Sequence, residues 1–210
     1  MSDLRVLIPT EDRHAGVGAS PEVSRRPRLG PLQALAERRR LARHDRVGEQ
    51  LAELDQLRRI LRSAAVLIEA GWVQNGWFSV SDPSGSLRII DARNAQALRQ
   101  EPIVGACLVG GIVQSGGGLG AVHSQPVQRA LDLTWHTLFR SERLPVEFCP
   151  PPAVRAAHVR NLTTWNDRPH RTREQVTALL DAADRVAAVQ AAKLQGSARQ
   201  LASRDASRTA

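Results

Sequence analysis

The chain has 210 residues, a net charge of +8 and a 3% aromatic share with no tyrosine. That length suits one domain, or one domain with extensions, and is enough to bury a core. Aliphatic side chains must do most of the packing, with Trp72, Trp77, Trp135 and Trp165 as the large anchors. Residues 1–48 carry ten Arg against six acids, and residues 193–210 carry Lys193 and three Arg against Asp205, so the body between is nearly neutral.

A folded nucleic-acid-binding face would place its charge inside the domain. Basic ends contact phosphate without sequence selectivity. Lys193 is the only lysine beside 28 Arg, the mark of a GC-rich coding bias, and this weakens any inference from pI alone. Cys107 and Cys149 are too few and too far apart for a zinc motif or a disulfide framework. The N-terminus lacks the cationic lead and long apolar core of a signal peptide. The longest apolar run, residues 104–113, is too short to cross a bilayer. The expectation is a cytoplasmic protein with no membrane partner.

In chain order, residues 1–30 hold Pro, Gly, Ser and Arg without sustained periodicity and read as a flexible extension. Pro31 opens a helical pattern, and residues 31–48 form a basic helical segment that includes Arg38, Arg39 and Arg40. Leu51, Leu54, Leu57, Leu61, Ala64, Ala65 and Ile68 then recur at helical spacing, and Gly71 stands at the C-cap. If Gly48 is tolerated, one helix runs from about residue 31 to residue 70. Residues 77–81 and 86–90 alternate in β fashion around Asp82-Pro83-Ser84-Gly85, which predicts a small hairpin. Residues 91–100 suggest a short helix. Residues 104–113 form a buried segment that periodicity leaves open between helix and strand. Residues 115–120 are a glycine loop, and Ser124 is placed to cap a helix with Pro126 at its second position, ending near Arg143. A proline-rich loop over residues 144–152 precedes a short helix at 153–162. Val176, Leu179, Leu180, Ala183, Val186 and Ala187 mark a last amphipathic helix, and residues 195–210 read as a flexible basic tail. The fold class is mainly α: a compact helical domain over 49–194 with a small hairpin near 77–90, a long N-terminal helix and basic tails.

The densest stretch is Trp165-Asn166-Asp167-Arg168-Pro169-His170-Arg171-Thr172, followed by Gln175 and Val176. Thr172 and Gln175 fit a capping box, and Glu174 sits where the helix dipole favours a negative charge. Asn166 or Asp167 suits an Asx turn, and Arg168 or Arg171 is placed to pair with Asp167. His170 has no necessary role in that structural account, and neither does the Arg168/Arg171 pair. With Leu67-Ile68-Glu69-Ala70-Gly71-Trp72, Gln74 and Gly76, and with Ala106-Cys107-Leu108-Val109-Gly110-Gly111-Ile112, this stretch resembles a family of small, uncharacterised actinobacterial proteins. Those proteins carry a domain of unknown function, and the resemblance spans roughly residues 57–190. It implies a compact, mostly α domain and no particular activity. The chain departs from the pattern in its N-terminal extension, its basic C-terminal end and the Gly110-Gly111 pair.

No catalytic set stands out. Cys107 with His123, His136 or His158 as base is one arrangement, but a cysteine inside an apolar run is usually an inert core residue. The glycine loop lacks the lysine of a Walker site. The histidines lack ligand spacing, so no metal and no cofactor is expected. Asp181 and Asp184 read as a solvated face. The preferred function is a non-catalytic binding or accessory protein whose basic extensions dock an acidic protein or a nucleic acid. Candidate binding residues are Trp165, Asn166, Asp167, Arg168, His170 and Arg171, with Arg38, Arg39 and Arg40. One alternative is a small enzyme or ligand-binding domain with a pocket near Trp165, Asn166 and Asp167. The other is a non-specific nucleic-acid binder.

Overall fold

A computed structural model describes residues 30–82, 84–95, 101–139 and 150–209. The expected N-terminal extension up to residue 29, the proline of the hairpin turn, the second half of the 91–100 segment and residues 144–149 of the proline-rich loop lie outside those residues. The chain is mainly helical, with helices α1 (Pro31–Ala70), α2 (Leu108–Ser115), α3 (Gln125–Phe139), α4 (Pro152–Asn166) and α5 (Arg173–Thr209). A three-stranded sheet adds β1 (Phe78–Ser81), β2 (Leu87–Ile90) and β3 (Ile103–Ala106). The chain divides into two units at Arg39–Arg40, within α1. In the described part of the first unit, residues 31–39 are helical, and Arg38 and Arg39 are exposed.

In the second unit α1 continues through Gly48, where an added Cβ would meet nothing within 4 Å. An exposed glycine of this kind costs a helix about 1 kcal/mol and does not break it. The buried face of α1 is Leu54, Leu57, Ile60, Leu61, Ala64, Ala65 and Ile68. Helix α5 answers with Val176, Leu180, Ala183, Ala187 and Ala191. The two helices run antiparallel, as their contacts show. Arg173 donates to the Glu69 carbonyl, Arg58 and Arg62 bind Asp184, and Arg40, Arg43, His44 and Val47 share a groove with Ala198 and Leu201. Asp184 is therefore not part of a solvated face. It accepts from Arg58 Nε at 2.8 Å and from Arg62 at 3.1 Å, and the bond raises the Arg58 pKa above its ordinary value. Helix α5 also runs on through Thr209, past residue 195 where the sequence suggests a tail.

The sheet has strand order β2-β1-β3, antiparallel throughout, with Phe78 opposite both Ile90 and Ala106. Phe78, Val80, Ile90 and Ala106 face inward and form a second small core with Ala95. The expected hairpin is present, and Asp82 shapes its turn by accepting from Ser84 N, Ser84 Oγ and Ser86 N. These bonds, that of the Ser84 hydroxyl foremost, hold the Asp82 carboxyl below the usual carboxylate range.

The ambiguous 104–113 segment is neither one strand nor one helix. It splits at Cys107, which ends β3 and caps α2, its Sγ accepting from Gly110 N at 3.3 Å. Gly71 closes α1 for a different reason than a left-handed cap, since its φ is not positive. A Cβ there would lie 2.5 Å from the Val104 carbonyl oxygen, and one on Gly105 would lie 2.3 Å from the Gly71 oxygen. Two glycines thus let the end of α1 lie against β3, sealed by Ala106 N donating to Gly71 O at 2.7 Å. Gly110 is likewise needed, because a Cβ would meet the Trp77 carbonyl oxygen at 2.3 Å.

Helix α3 starts at Gln125 with Pro126 second, as expected, but Ser124 does not cap it by its hydroxyl. Ser124 Oγ is buried and has no partner among the described residues, while the Ser124 carbonyl accepts from Gln128 N. Helix α3 is described through Phe139, the expected end near Arg143 lying outside the described residues, and α4 continues to Asn166, four residues beyond Leu162. No helix among the described residues is long and apolar enough to cross a membrane.

Candidate functional site

The 165–176 stretch folds into a hub at the C-terminus of α4. Asn166, the last residue of that helix, is fully buried. Its Oδ1 accepts from Trp72 Nε1 at 3.0 Å and from Leu108 N at 3.2 Å. Its Nδ2 donates to the Val73 carbonyl at 3.0 Å and to Asp167 Oδ1 at 2.8 Å. One side chain thus ties together the turn after α1, the first turn of α2 and the end of α4. Gln74 donates from Nε2 to the carbonyls of Asn166 and Arg168, both at 3.0 Å, which satisfies acceptors that a helix end leaves open.

Asp167 accepts from Asn75 N at 3.0 Å as well as from Asn166. Asn75 has φ +56°, a left-handed conformation that asparagine tolerates better than most residues. The Asx-turn expectation is therefore replaced by a longer-range role: both side chains hold the 72–75 turn rather than their own. The expected ion pair of Asp167 with Arg168 or Arg171 is not what the geometry shows. The Arg171 guanidinium lies 3.8 Å above the centre of the Trp165 ring and donates to the Trp165 carbonyl and to Gln175 Oε1. Burial, and then the charge of Arg168, lower the Arg171 pKa. Arg168 and His170 are exposed.

The capping box forms as read. Gln175 N donates to Thr172 Oγ1 at 3.3 Å, and Thr172 N donates to Gln175 Oε1 at 3.2 Å. Hydrogen bonds from its own backbone N–H and from Thr172 keep the Glu174 carboxyl below its usual range. Of the residues singled out from sequence, Trp165, Asn166, Asp167 and Arg171 come together here, and their polar atoms bond to one another and to neighbouring backbone.

Cys107 is buried, and desolvation pushes its thiol up to about 12. A thiol in that state is neutral at physiological pH and a poor nucleophile. Its hydrogen-bond partner is Gly110 N, not a histidine.

A second polar cluster lies where α3 meets α4, centred on Asp132, a residue absent from the candidates that the sequence offers. Asp132 is 4% exposed and His158 5%. Asp132 Oδ1 lies 2.8 Å from His158 Nδ1, and Oδ2 accepts from Arg155 Nε at 3.0 Å. The indole of Trp135 stacks on the His158 ring with centroids 3.9 Å apart, and His136 meets that ring edge-on at 5.7 Å. Arg155 and His158 are three residues apart on α4, so both reach the same carboxylate. The signal available in sequence was this spacing together with an aspartate flanked by Leu131 and Leu133. Among the described residues no three His, Cys, Asp or Glu side chains converge as a metal site would require.

The third feature is basic. Arg40, Arg43, His44 and Val47 of α1 line a groove with Ala198 and Leu201 of α5. Ala198 and Leu201 are therefore set beside Arg40 and Arg43, and they belong to a stretch, residues 193–204, that contains Lys193, Arg199 and Arg204 and no acid. The two basic ends, distant in sequence, meet on one helix pair.

The model of a family of unknown function, DUF6197, matches residues 52–186. The chain belongs to that family. The match begins inside α1 just before its buried stretch and ends within α5, so it takes in the hub, the sheet and the Asp132–His158 cluster. The basic residues of α1 up to Arg46, and those of α5 from Lys193 onward, lie outside it. No curated protein and no solved structure matches the chain.

Proposed function

We propose that the protein is a non-catalytic binding or accessory factor that docks an acidic partner, protein or nucleic acid, through the basic end of its α1–α5 helix pair. The observation that carries this reading is a groove where Arg40, Arg43 and His44 of α1 meet Ala198 and Leu201 of α5, in a stretch of α5 that also carries Lys193, Arg199 and Arg204. Arg40 is exposed beside the groove, and Arg38 and Arg39, exposed in the first unit, are candidate binding residues in their own right. The buried hydrophobic side chains among the described residues all fall between Leu54 and Ala191, so the basic ends contribute little to the core. A cytoplasmic location and an actinobacterial source belong to the same proposal, the latter supported by the near-total use of Arg over Lys. So does the Trp165-Asn166-Asp167…Arg171-Thr172 string as a mark of the family.

The test is retention of the full-length protein on heparin at low salt. Contacts to a polyanion give steep salt dependence. The combined variant Arg46→Glu, Arg199→Glu and Arg204→Glu is expected to elute far earlier with an unchanged circular dichroism spectrum. Unchanged retention of that variant contradicts the docking site.

One observation favours a second reading, a small enzyme. Asp132 Oδ1 lies 2.8 Å from His158 Nδ1, the carboxylate–imidazole arrangement by which hydrolase triads orient the other ring nitrogen as a base. The 165–167 hub supports this less, since its carboxylate and amide are engaged in holding the turn. Diethyl pyrocarbonate separates the two readings. A structural His158, 5% exposed, is expected to be modified much more slowly than the exposed His44 and His170. Modification at their rate would show a reachable base and favour the enzyme.

A further inference from the structure

Taking the basic helix pair as the docking surface, we infer that its partner is an acidic amphipathic helix of another protein rather than a nucleic acid. The surface is not purely cationic. Leu41 is 51% exposed and Leu201 40%, and Leu201 lines the groove beside Arg40, Arg43 and His44. Phosphates gain nothing from exposed leucines, whereas an apolar side chain of a protein partner would bury them at about 25 cal/mol per Å².

The spacing fits the same occupant. Arg46 follows Arg43 by three residues on α1, and Arg204 follows Leu201 by three on α5. Arg46 therefore lies one turn from Arg43 within the α1 stretch that lines the groove, and Arg204 lies one turn past Leu201 on α5. The result is an apolar strip, Val47, Ala198 and Leu201, flanked by guanidinium groups. A helix laid in such a groove presents apolar anchors at i, i+3, i+4 and i+7, with carboxylates to either side.

Two other occupants fit less well. Single-stranded nucleic acid is held by stacking its bases on aromatic rings, and residues 40–47 and 193–204 contain no Trp, Phe or Tyr. A second copy of this chain in two-fold symmetry would set the same arginines against each other, a like-charge cost that selects against self-association.

The experiment uses the full-length protein and fluorescence anisotropy with three labelled probes. One is a model peptide with leucines at alternating three- and four-residue spacing and glutamates between. The second is a scrambled peptide of the same composition, and the third is a short DNA duplex. The patterned peptide is expected to bind about tenfold tighter than the scrambled one, and Leu201→Ser to remove about that factor, as loss of a central anchor does. Leu201 is exposed enough that this variant folds, which circular dichroism checks. Equal binding of both peptides, or no loss with Leu201→Ser, overturns the amphipathic partner. Tighter binding of the duplex overturns it too but leaves the docking reading standing, with nucleic acid as the partner. If no probe binds at low salt, the docking reading fails with it.

Discussion

Replacing Asn166 with alanine is expected to lower the stability of the fold by at least about 3 kcal/mol, a loss that follows from leaving several buried polar groups without partners. The Leu108 N–H and the Trp72 indole N–H lose their acceptor, and the Val73 carbonyl and Asp167 lose a donor. These groups belong to three separate segments, so no single side-chain shift repairs them. Urea unfolding followed by tryptophan fluorescence measures the change, with the slope compared between variants to confirm that the denatured state is not the cause. Asn166→Asp is the informative partner variant. It keeps the acceptor toward Trp72 and Leu108, loses both donated bonds, and places a second carboxylate against Asp167. Burial and that neighbour raise the introduced group's folded pKa above its unfolded value. Its penalty is therefore present at neutral pH and eases as pH falls through the folded pKa, where the protonated acid again donates. Stability that is flat with pH between the parent and this variant would show that Asn166 is not closely coupled to Asp167.

What was legible in the sequence, and what was not, separates along a physical line. Local periodicity revealed α1 from Leu54 to Ile68, the hairpin around Asp82 and the last helix with its Thr172–Gln175 box, because each depends on residues within a few positions of one another. The 104–113 run resisted, because an apolar stretch buried on all sides carries no period; only the tertiary contact at Gly71 and Gly105 fixes where the strand stops. The 165–176 motif stands out in the sequence, but nothing in it says how far away its partners lie. Asn166 and Asp167 instead bond to residues 72–75, more than 90 positions earlier, and Arg171 serves Trp165 rather than Asp167. The spacing of turn-forming residues is compatible with either outcome, since an Asx turn and a long-range clamp use the same amide. The meeting of the two basic ends was hidden for the same reason. The sequence presents residues 31–48 as a basic helical segment and residues 195–210 as a separate tail, and only the antiparallel run of α5 along α1, continuing past residue 195, brings Leu201 beside Arg43.

The Asp132–His158–Arg155 cluster leads to the other large expected effect. Asp132→Ala is expected to cost about 3 kcal/mol, the lower end of the range for breaking a buried ion pair, because Arg155 retains some access to water. The guanidinium and the imidazole lose their shared acceptor, and the stacking of His158 on Trp135 leaves the ring little freedom to turn elsewhere. A double-mutant cycle with Arg155→Met isolates the pair. The double variant should be more stable than the summed single losses by about 1 kcal/mol or more, since the second substitution removes a cation that has already lost its Asp132 acceptor. Additive losses would mean that Arg155 turns to solvent and that the carboxylate serves His158 alone. The replacement Asp132→Leu, Arg155→Met and His158→Phe carries the argument from stability to purpose. Well-packed apolar groups often equal or exceed a buried ionic cluster in stability. If the triple variant is as stable as the parent, the cluster is not kept for what it adds to folding, and the oriented His158 becomes the part of the α3–α4 contact in need of a function. If the triple variant is markedly less stable, the cluster is a lock between two helices, and the working surface of the protein is left at the basic end of α1 and α5.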